Sequence, residues 1–344
     1  MGLRKAAVTH SINQRQLALS VDIGGTSIKA GLIRRDGTLL AIGRQATPAK
    51  APPDTVINQA LALCHRLRAE NAIELAEIDG VGFSIAGFVT AEGVVTATAH
   101  LSQEWVGFDL RARLLQELET DYYFALDTPA PTLGEAYYGA GRGVENFAYV
   151  TVSTGIGAGI ISDGKYFTGG MGWAGGVGHT IIDETSPRVC EGCGNHGCLE
   201  TFAATQGILA TTAEVLDMYP DSLILSLAED QPDRVTPEIV HRAAQQGDRA
   251  ALEVWQHVGH ILGIGLVNLV NIVSVPLIVI GGGISQAGNL LLEPARRVLR
   301  ERAFPPQHRK AQIVQAELGD LSGIYGAAAM VFHDIRINLS EELL

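Results

Sequence analysis

Three of the four cysteines fall within nine positions, in Cys190-Glu-Gly-Cys193-Gly-Asn-His-Gly-Cys198, and His179 stands just upstream. Three thiolates and one imidazole make the closed tetrahedral set that a structural Zn²⁺ prefers. Glycines at 192, 194 and 197 let the backbone turn tightly enough for the sulfurs to face one point. Disulfide pairing is the competing use of these thiols. It would leave one of the three unpaired, and the polar, mixed stretch from Met1 to Gln16 has no apolar secretory core.

A second chemistry is carried by glycine-rich turns. Asp22-Ile-Gly-Gly-Thr26, followed by Lys29, reads as a strand–turn–strand with a carboxylate at the strand end. Backbone N–H groups of Gly24, Gly25 and Thr26 can bind phosphate oxygens, Lys29 adds charge, and Asp22 can hold a hydrated Mg²⁺. No helix starts after the lysine as a P-loop requires. Alone, this would be a plain hairpin. Its counterpart is Ser153-Thr154-Gly155-Ile-Gly157, and two facing turns of this kind can cradle a triphosphate. Gly281, Gly282 and Gly283 follow a buried strand and leave a side-chain-free surface on which an adenosine can lie. Asp127 ends a hydrophobic strand between the two halves. It suits either a general base for a substrate hydroxyl or a helix N-cap.

The composition sets the bounds. With 344 residues, 47% hydrophobic and 18% charged, the chain suits two domains with real cores. A net charge of −12 and the lack of a basic run disfavour nucleic acid as a partner. No apolar run of about eighteen residues stands out, so no membrane span is expected. Free thiols with zinc point to the cytoplasm. Cys64 lies on an apolar helical stripe with Ile57 and Leu61 and reads as core.

The elements that must position these groups form a repeat. Strands are expected at Leu17–Asp22, Ser27–Ile33 and Thr38–Arg44, a helix over 53–69, a strand at Asp79–Ile85, a helix over 110–118 and a strand at Tyr122–Leu126. The second half opens the same way, with strand 146–153, a glycine turn, strand 158–162 and the Asp163-Gly164 hairpin. After the cysteine loop come helices near 203–216, 236–245 and 248–271, strand 277–280, helix 290–302, strand 312–316 and a closing helix over 322–333. Residues 219–234 read as a surface excursion. An internal duplication is expected.

Taken together, these residues resemble the ROK family (repressors, open reading frames and kinases). The resemblance runs from Ala18 to Phe332 through Asp22-Ile-Gly-Gly-Thr26, Asp127 with Leu133-Gly-Glu135, Ser153–Gly157, Gly178-His179, the cysteine loop with Glu200, Val279–Ile284 and Gly323–Ala328. It implies an α/β, duplicated actin-like (ribonuclease-H-like) ATPase of two lobes with an inserted zinc loop. The expected lobes are residues 1–127 with about 321–344, and residues 128–320. It implies a kinase using ATP and Mg²⁺ on a small polyhydroxylated substrate, with Asp127 as base and His179 and Glu200 touching the sugar. His179 would also join Cys190, Cys193 and Cys198 on zinc. Ser84, Gly87, His100 and Gly176 complete the expected substrate side, and a homodimer or homotetramer is the expected assembly.

Departures from the family pattern fall on the substrate side. A glutamate is replaced by Gly176, two asparagines by Leu126 and Pro129, a Pro-Gly turn by Ala86-Gly87 and an asparagine by His100. The first cysteine pair is one residue longer than usual. Ordinary glucose or N-acetylhexosamine kinases would read their sugars through the missing groups, so a less usual sugar, a ketose, a deoxysugar or a cyclitol is expected as acceptor. A low-specificity hexose kinase and a non-catalytic sugar sensor are the alternatives, and GTP or polyphosphate remains open as donor. The repressor branch carries a DNA-binding segment before the first strand, where only about sixteen residues stand here.

Overall fold

The computed structural model describes residues 16–98, 101–117 and 119–337. The chain order is β1 (Leu17–Ile23), β2 (Ser27–Arg34), β3 (Leu39–Ala46), α1 (Pro53–Glu70), β4 (Ile78–Ile85), the small hairpin β5 (Gly87–Val89) and β6 (Val95–Thr98), α2 (Leu110–Leu115), β7 (Tyr122–Leu126) and α3 (Pro129–Tyr138). The second half runs β8 (Phe147–Val152), β9 (Ile156–Ser162), β10 (Lys165–Phe167), α4 (Glu200–Ala203), α5 (Thr205–Leu216), α6 (Leu223–Leu227), α7 (Pro237–Gln245), α8 (Arg249–Val273), β11 (Leu277–Gly281), α9 (Asn289–Arg302), β12 (Gln312–Gln315) and α10 (Ser322–His333).

The duplication is visible in the sheets. One has the order β3-β2-β1-β4-β7 and the other β10-β9-β8-β11-β12. In each, the first three strands pair antiparallel, and the parallel strands follow beside the first. This is the mixed α/β architecture of the actin-like ATPases. Both glycine turns therefore occupy the same corner of their sheets, between strands one and two. Asp127 follows the last parallel strand of the first sheet. Carboxyl ends of parallel strands are where open α/β sheets bind ligands.

Each sheet has its own core. The first packs α1 through Val56, Ile57, Ala60, Leu63 and Cys64 onto β1, β2 and β3. Burial pushes the Cys64 thiol up to about 12, as expected of a core cysteine. In the second, α8 lies among α4, α5, α7 and α9 and buries Val254, Trp255, Val258, Leu262 and Leu266. By length and a mean hydropathy of 1.3 it is apolar enough to cross a membrane, contrary to the expectation that no such stretch exists. Half of that stretch is buried inside the fold, so its apolarity is that of a core helix.

Between the sheets, α3 and α10 cross at backbone contact. A Cβ on Gly326 would lie 1.6 Å from the Ala130 carbonyl oxygen, and one on Gly134 would lie 2.3 Å from that of Ser322. Beside this crossing the fully buried Glu135 accepts hydrogen bonds from the N–H groups of Ala140 (2.8 Å), Glu317 (3.2 Å) and Leu318 (3.0 Å), and its Oε1 is 3.1 Å from Ser322 Oγ. The carboxylate ties α3 to the segment that enters α10.

Differences from the sequence expectation lie at edges. The helix begun at Leu110 is irregular after Leu115, and Leu118 lies outside the described residues. The β5–β6 hairpin was not expected. The 219–234 excursion contains α6 and a short 3₁₀ turn at Pro232–Arg234.

Candidate active site

Asp127 follows β7, whose run Tyr122-Tyr123-Phe124-Ala125 is buried. Thr128, not Asp127, occupies the N-cap position of α3. Asp127 opens instead onto a cavity of about 360 Å³, together with Phe88, Leu126, Trp173, Gly176 and His179. The 3₁₀ turn Val177–His179 brings His179 there.

On its other side His179 meets the cysteine loop. One ring nitrogen of His179 and the sulfurs of Cys190, Cys193 and Cys198 all lie within 4.8 Å of one another. Cys190 Sγ is 3.5 Å from His179 Nδ1, and Cys193 Sγ is 3.6 Å from Cys198 Sγ. A tetrahedral zinc with ordinary bond lengths sets its ligand atoms about 3.6 and 3.8 Å apart for N–S and S–S edges. The four groups fit that ion, and all four cysteines are free thiols. The loop closes through Cys190 N–H donating to the Asn195 carbonyl and Gly194 N–H donating to that of Cys190, both 2.8 Å. Gly197, at φ +67°, sits against the Asp183 carbonyl, where no side chain fits. The backbone N–H of Asn195 holds the Cys193 thiol down at about 7.

Glu200 stands behind this cluster. Its Oε1 accepts from the Cys190 thiol at 2.8 Å and its Oε2 from the Ile156 N–H at 3.4 Å. It is not among the residues lining the Asp127 cavity, nor are Ser84 and Gly87. Ser84 is buried in β4 beside Asp22 in register, and its hydroxyl has no hydrogen-bond partner among the described residues. His100 lies outside the described residues.

The first glycine turn is shaped by its own backbone. Gly24 N–H donates to the Ser27 carbonyl (3.0 Å), and Thr47 closes over it through bonds to Gly24 and Thr26. Gly25 sits at the tip beside them. Lys29 is occupied: its Nζ is 3.3 Å from Asp22 Oδ2 and donates to the Asp320 carbonyl at 2.8 Å. Asp22 also faces the first turn of α10, where a Cβ on Gly323 would lie 3.0–3.2 Å from its carboxylate.

The second turn divides two cavities. Ile156 and Gly157 line the Asp127 cavity. Ser153 and Thr154 line another of about 560 Å³, with Thr205, Glu238, His241, Trp255 and Gly283. Gly155, between them, approaches Glu200. Of the three glycines at the end of β11, Gly281 to Gly283, Gly283 alone lines this second cavity. Gly281 makes room for the Tyr149 hydroxyl, 2.1 Å from where a Cβ would stand, and Gly282, at φ +84°, lies against the Val152 carbonyl. Gly281 and Gly282 thus admit close neighbours where a Cβ would stand, whereas Gly283 has open space there.

Phe88, Tyr166, Trp173, Thr205, Glu238, His241 and Trp255 line these cavities without having been singled out in the sequence. Only Trp173, set among the glycines of 169–176, carried a signal that could have found it.

The ROK family model matches residues 18–334. A glucokinase of Thermotoga maritima is 30% identical over 316 residues, covering 91% of this chain and 96% of that protein. A xylose repressor of Caldicellulosiruptor bescii is 34% identical over 257 residues, 74% of this chain and 63% of that protein. Among solved structures, a ROK family glucokinase from Streptomyces griseus in complex with glucose and AMPPNP superposes with a TM-score of 0.78 at 27% identity, over 92% of this chain and 99% of that one. The chain belongs to the ROK family.

Proposed function

We propose that this ROK-family chain is a carbohydrate kinase that transfers the terminal phosphoryl group of ATP to a hydroxyl of a small sugar or sugar-like polyol. The observation that carries the reading is the Ser153–Gly157 turn, one edge of which faces the 560 Å³ cavity and the other the cavity holding Asp127. A phosphoryl group held at that turn has a nucleoside-sized space on one side and a carboxylate on the other. The glucokinase relatives and the AMPPNP-bound neighbour support the same assignment.

In this reading, Asp127 accepts the proton of the attacking hydroxyl as its oxygen bonds the terminal phosphorus, and the bond to the ADP oxygen breaks. The backbone N–H groups of Gly25, Thr26, Thr154, Gly155 and Gly157 hold the phosphates, with Gly24 shaping the first turn through its bond to Ser27. Mg²⁺, when bound near Asp22, neutralises the charge that gathers on them. Zinc on His179, Cys190, Cys193 and Cys198 fixes the imidazole that walls the acceptor cavity. Glu200 acts from behind that wall, positioning the cysteine loop and the turn. The proposed lobes are residues 1–127 with about 321–344 and residues 128–320, which puts the Asp127 cavity between them and the larger cavity on the second lobe. A cytoplasmic location suits the reduced thiols.

The cavity of about 560 Å³ favours a nucleoside triphosphate over polyphosphate as donor. The glucokinase relatives favour a second reading, an ordinary hexose kinase, whereas Leu126, Pro129 and Gly176 on the cavity wall oppose it. A coupled ADP-release screen over sugars, amino sugars and cyclitols with ATP, GTP and polyphosphate tests the assignment. Acceptor-dependent ADP release is expected with ATP. Folded, zinc-loaded protein that releases no ADP above its acceptor-free rate with any acceptor would sink it.

A further inference from the structure

We propose that Phe88 and Trp173 form an apolar subsite that selects an acceptor bearing an apolar substituent: a deoxy carbon, a methyl ether, or an alkyl or aryl group. The inference rests on the reading of the Asp127 cavity as the acceptor site and adds to it the chemical class of the acceptor.

The two rings come from different halves of the chain. Phe88 is the middle residue of β5, in the hairpin that follows β4. Trp173 belongs to the loop between β10 and His179. Their ring centroids are 4.5 Å apart with planes inclined at 46°, and both line the cavity. The Trp173 loop is closed at its base by the Ala174 N–H donating to the Thr168 carbonyl (2.9 Å) and turns at Gly169, Gly172 and Gly175, with φ of +74°, +78° and +109°. These left-handed positions let a short loop throw a large ring across to the other half.

The rest of the wall decides what the rings face. Leu126, Pro129, Ile156, Ala158 and Ala174 line the same cavity, and its ionisable groups are Asp127, Tyr166 and His179. A sugar hydroxyl buried against the apolar part would lose its water without a replacement partner. An acceptor must therefore turn its reacting hydroxyl to Asp127 and present C–H surface to Phe88 and Trp173. One added methyl or methylene in such a pocket is worth about 10–200-fold in selectivity.

Trp173 also reports on its own site. Of the three tryptophans, Trp105 and Trp255 are buried, whereas Trp173 is 37% exposed. Acrylamide quenching of the intact protein therefore reads mainly Trp173, whether or not phosphoryl transfer occurs.

The experiment compares wild type, Trp173→Ala and Phe88→Leu on matched pairs. Each polyol is set against its deoxy, O-methyl and phenyl counterparts, with ADP release and, for wild type, acrylamide quenching as readouts. Wild type should favour the apolar member of at least one pair by about tenfold or more in kcat/KM, mostly through KM. Those compounds should shield Trp173. Trp173→Ala should erase the preference and Phe88→Leu should reduce it. Equal kcat/KM within every pair for wild type, or an unchanged preference in Trp173→Ala, would overturn the subsite. If no acceptor supports ADP release, the kinase reading falls, and shielding of Trp173 by the apolar compounds still decides the subsite on its own.

Discussion

Cys190 and Ile156 are joined through one carboxylate. The Cys190 thiol donates to Glu200 Oε1 at 2.8 Å, and the Ile156 N–H approaches Oε2 at 3.4 Å. Glu200 thus links the cysteine loop to the turn that separates the two cavities. Zinc binding requires the thiolate, so the proton that Cys190 shares with Glu200 leaves when the metal enters. The metal loop and the phosphate turn are mechanically connected at this point.

One zinc per chain is therefore expected, at about 2.0–2.1 Å from nitrogen and 2.3 Å from three sulfurs. Elemental analysis and X-ray absorption of the purified protein check this. Chelation should lower the melting temperature and raise the acceptor KM, because His179 loses its anchor. A native cystine between any two of Cys190, Cys193 and Cys198 would defeat the assignment.

Asp127→Asn keeps the shape of the residue and removes its ability to take a proton. Nucleotide binding, followed by calorimetry, should be retained. The kcat on the best acceptor should fall by about 10²–10⁴-fold, the usual size of a general-base contribution. A fall of less than about tenfold would mean that another group takes the proton.

Gly281, which ends β11, and Gly283 should separate by function. Gly281→Ala places a methyl 2.1 Å from the Tyr149 hydroxyl and should destabilise the protein, with overpacking costing about 1–3 kcal/mol. Gly283 has open space where its Cβ would stand and lines the 560 Å³ cavity. Gly283→Leu should therefore spare the fold and raise the KM for ATP. Urea denaturation and donor titration of both variants give the comparison. Equal loss of stability in the two would mean that Gly283 is also a packing residue.

Glu135→Gln replaces an acceptor met by three backbone N–H groups with a side chain that must turn a donor toward some of them. Hydrogen bonds to a charged group are worth about 1.5–3 kcal/mol each. A loss of about 2–4 kcal/mol in denaturant unfolding is expected, with α3 and α10 loosening together. Proteolysis or hydrogen exchange localised to 317–333 would show where the loss falls. A change below about 0.5 kcal/mol, the range of ordinary surface substitutions, would remove Glu135 from the interface between the sheets.

What the sequence by itself determined was local. The cysteine spacing implied the tetrahedral set because all four ligands sit on one short, glycine-rich stretch. Both strand–turn–strand units were legible because hairpins are made by neighbours, and their repetition gave away the paired sheets. Asp127 could be placed at a strand end because β7 is a continuous apolar run that stops there. The tertiary structure alone decided what lies across from what. Phe88 and Trp173 stand eighty-five positions apart, on elements whose own patterns say nothing of each other. Gly281 and Gly282 have Tyr149 and the Val152 carbonyl packed where a Cβ would stand, neighbours that their own stretch of sequence does not announce. Lys29 meets the Asp320 carbonyl, brought to it from nearly three hundred positions away. Periodicity and turn chemistry act over a few residues, whereas a cavity is bounded by segments that only packing brings together.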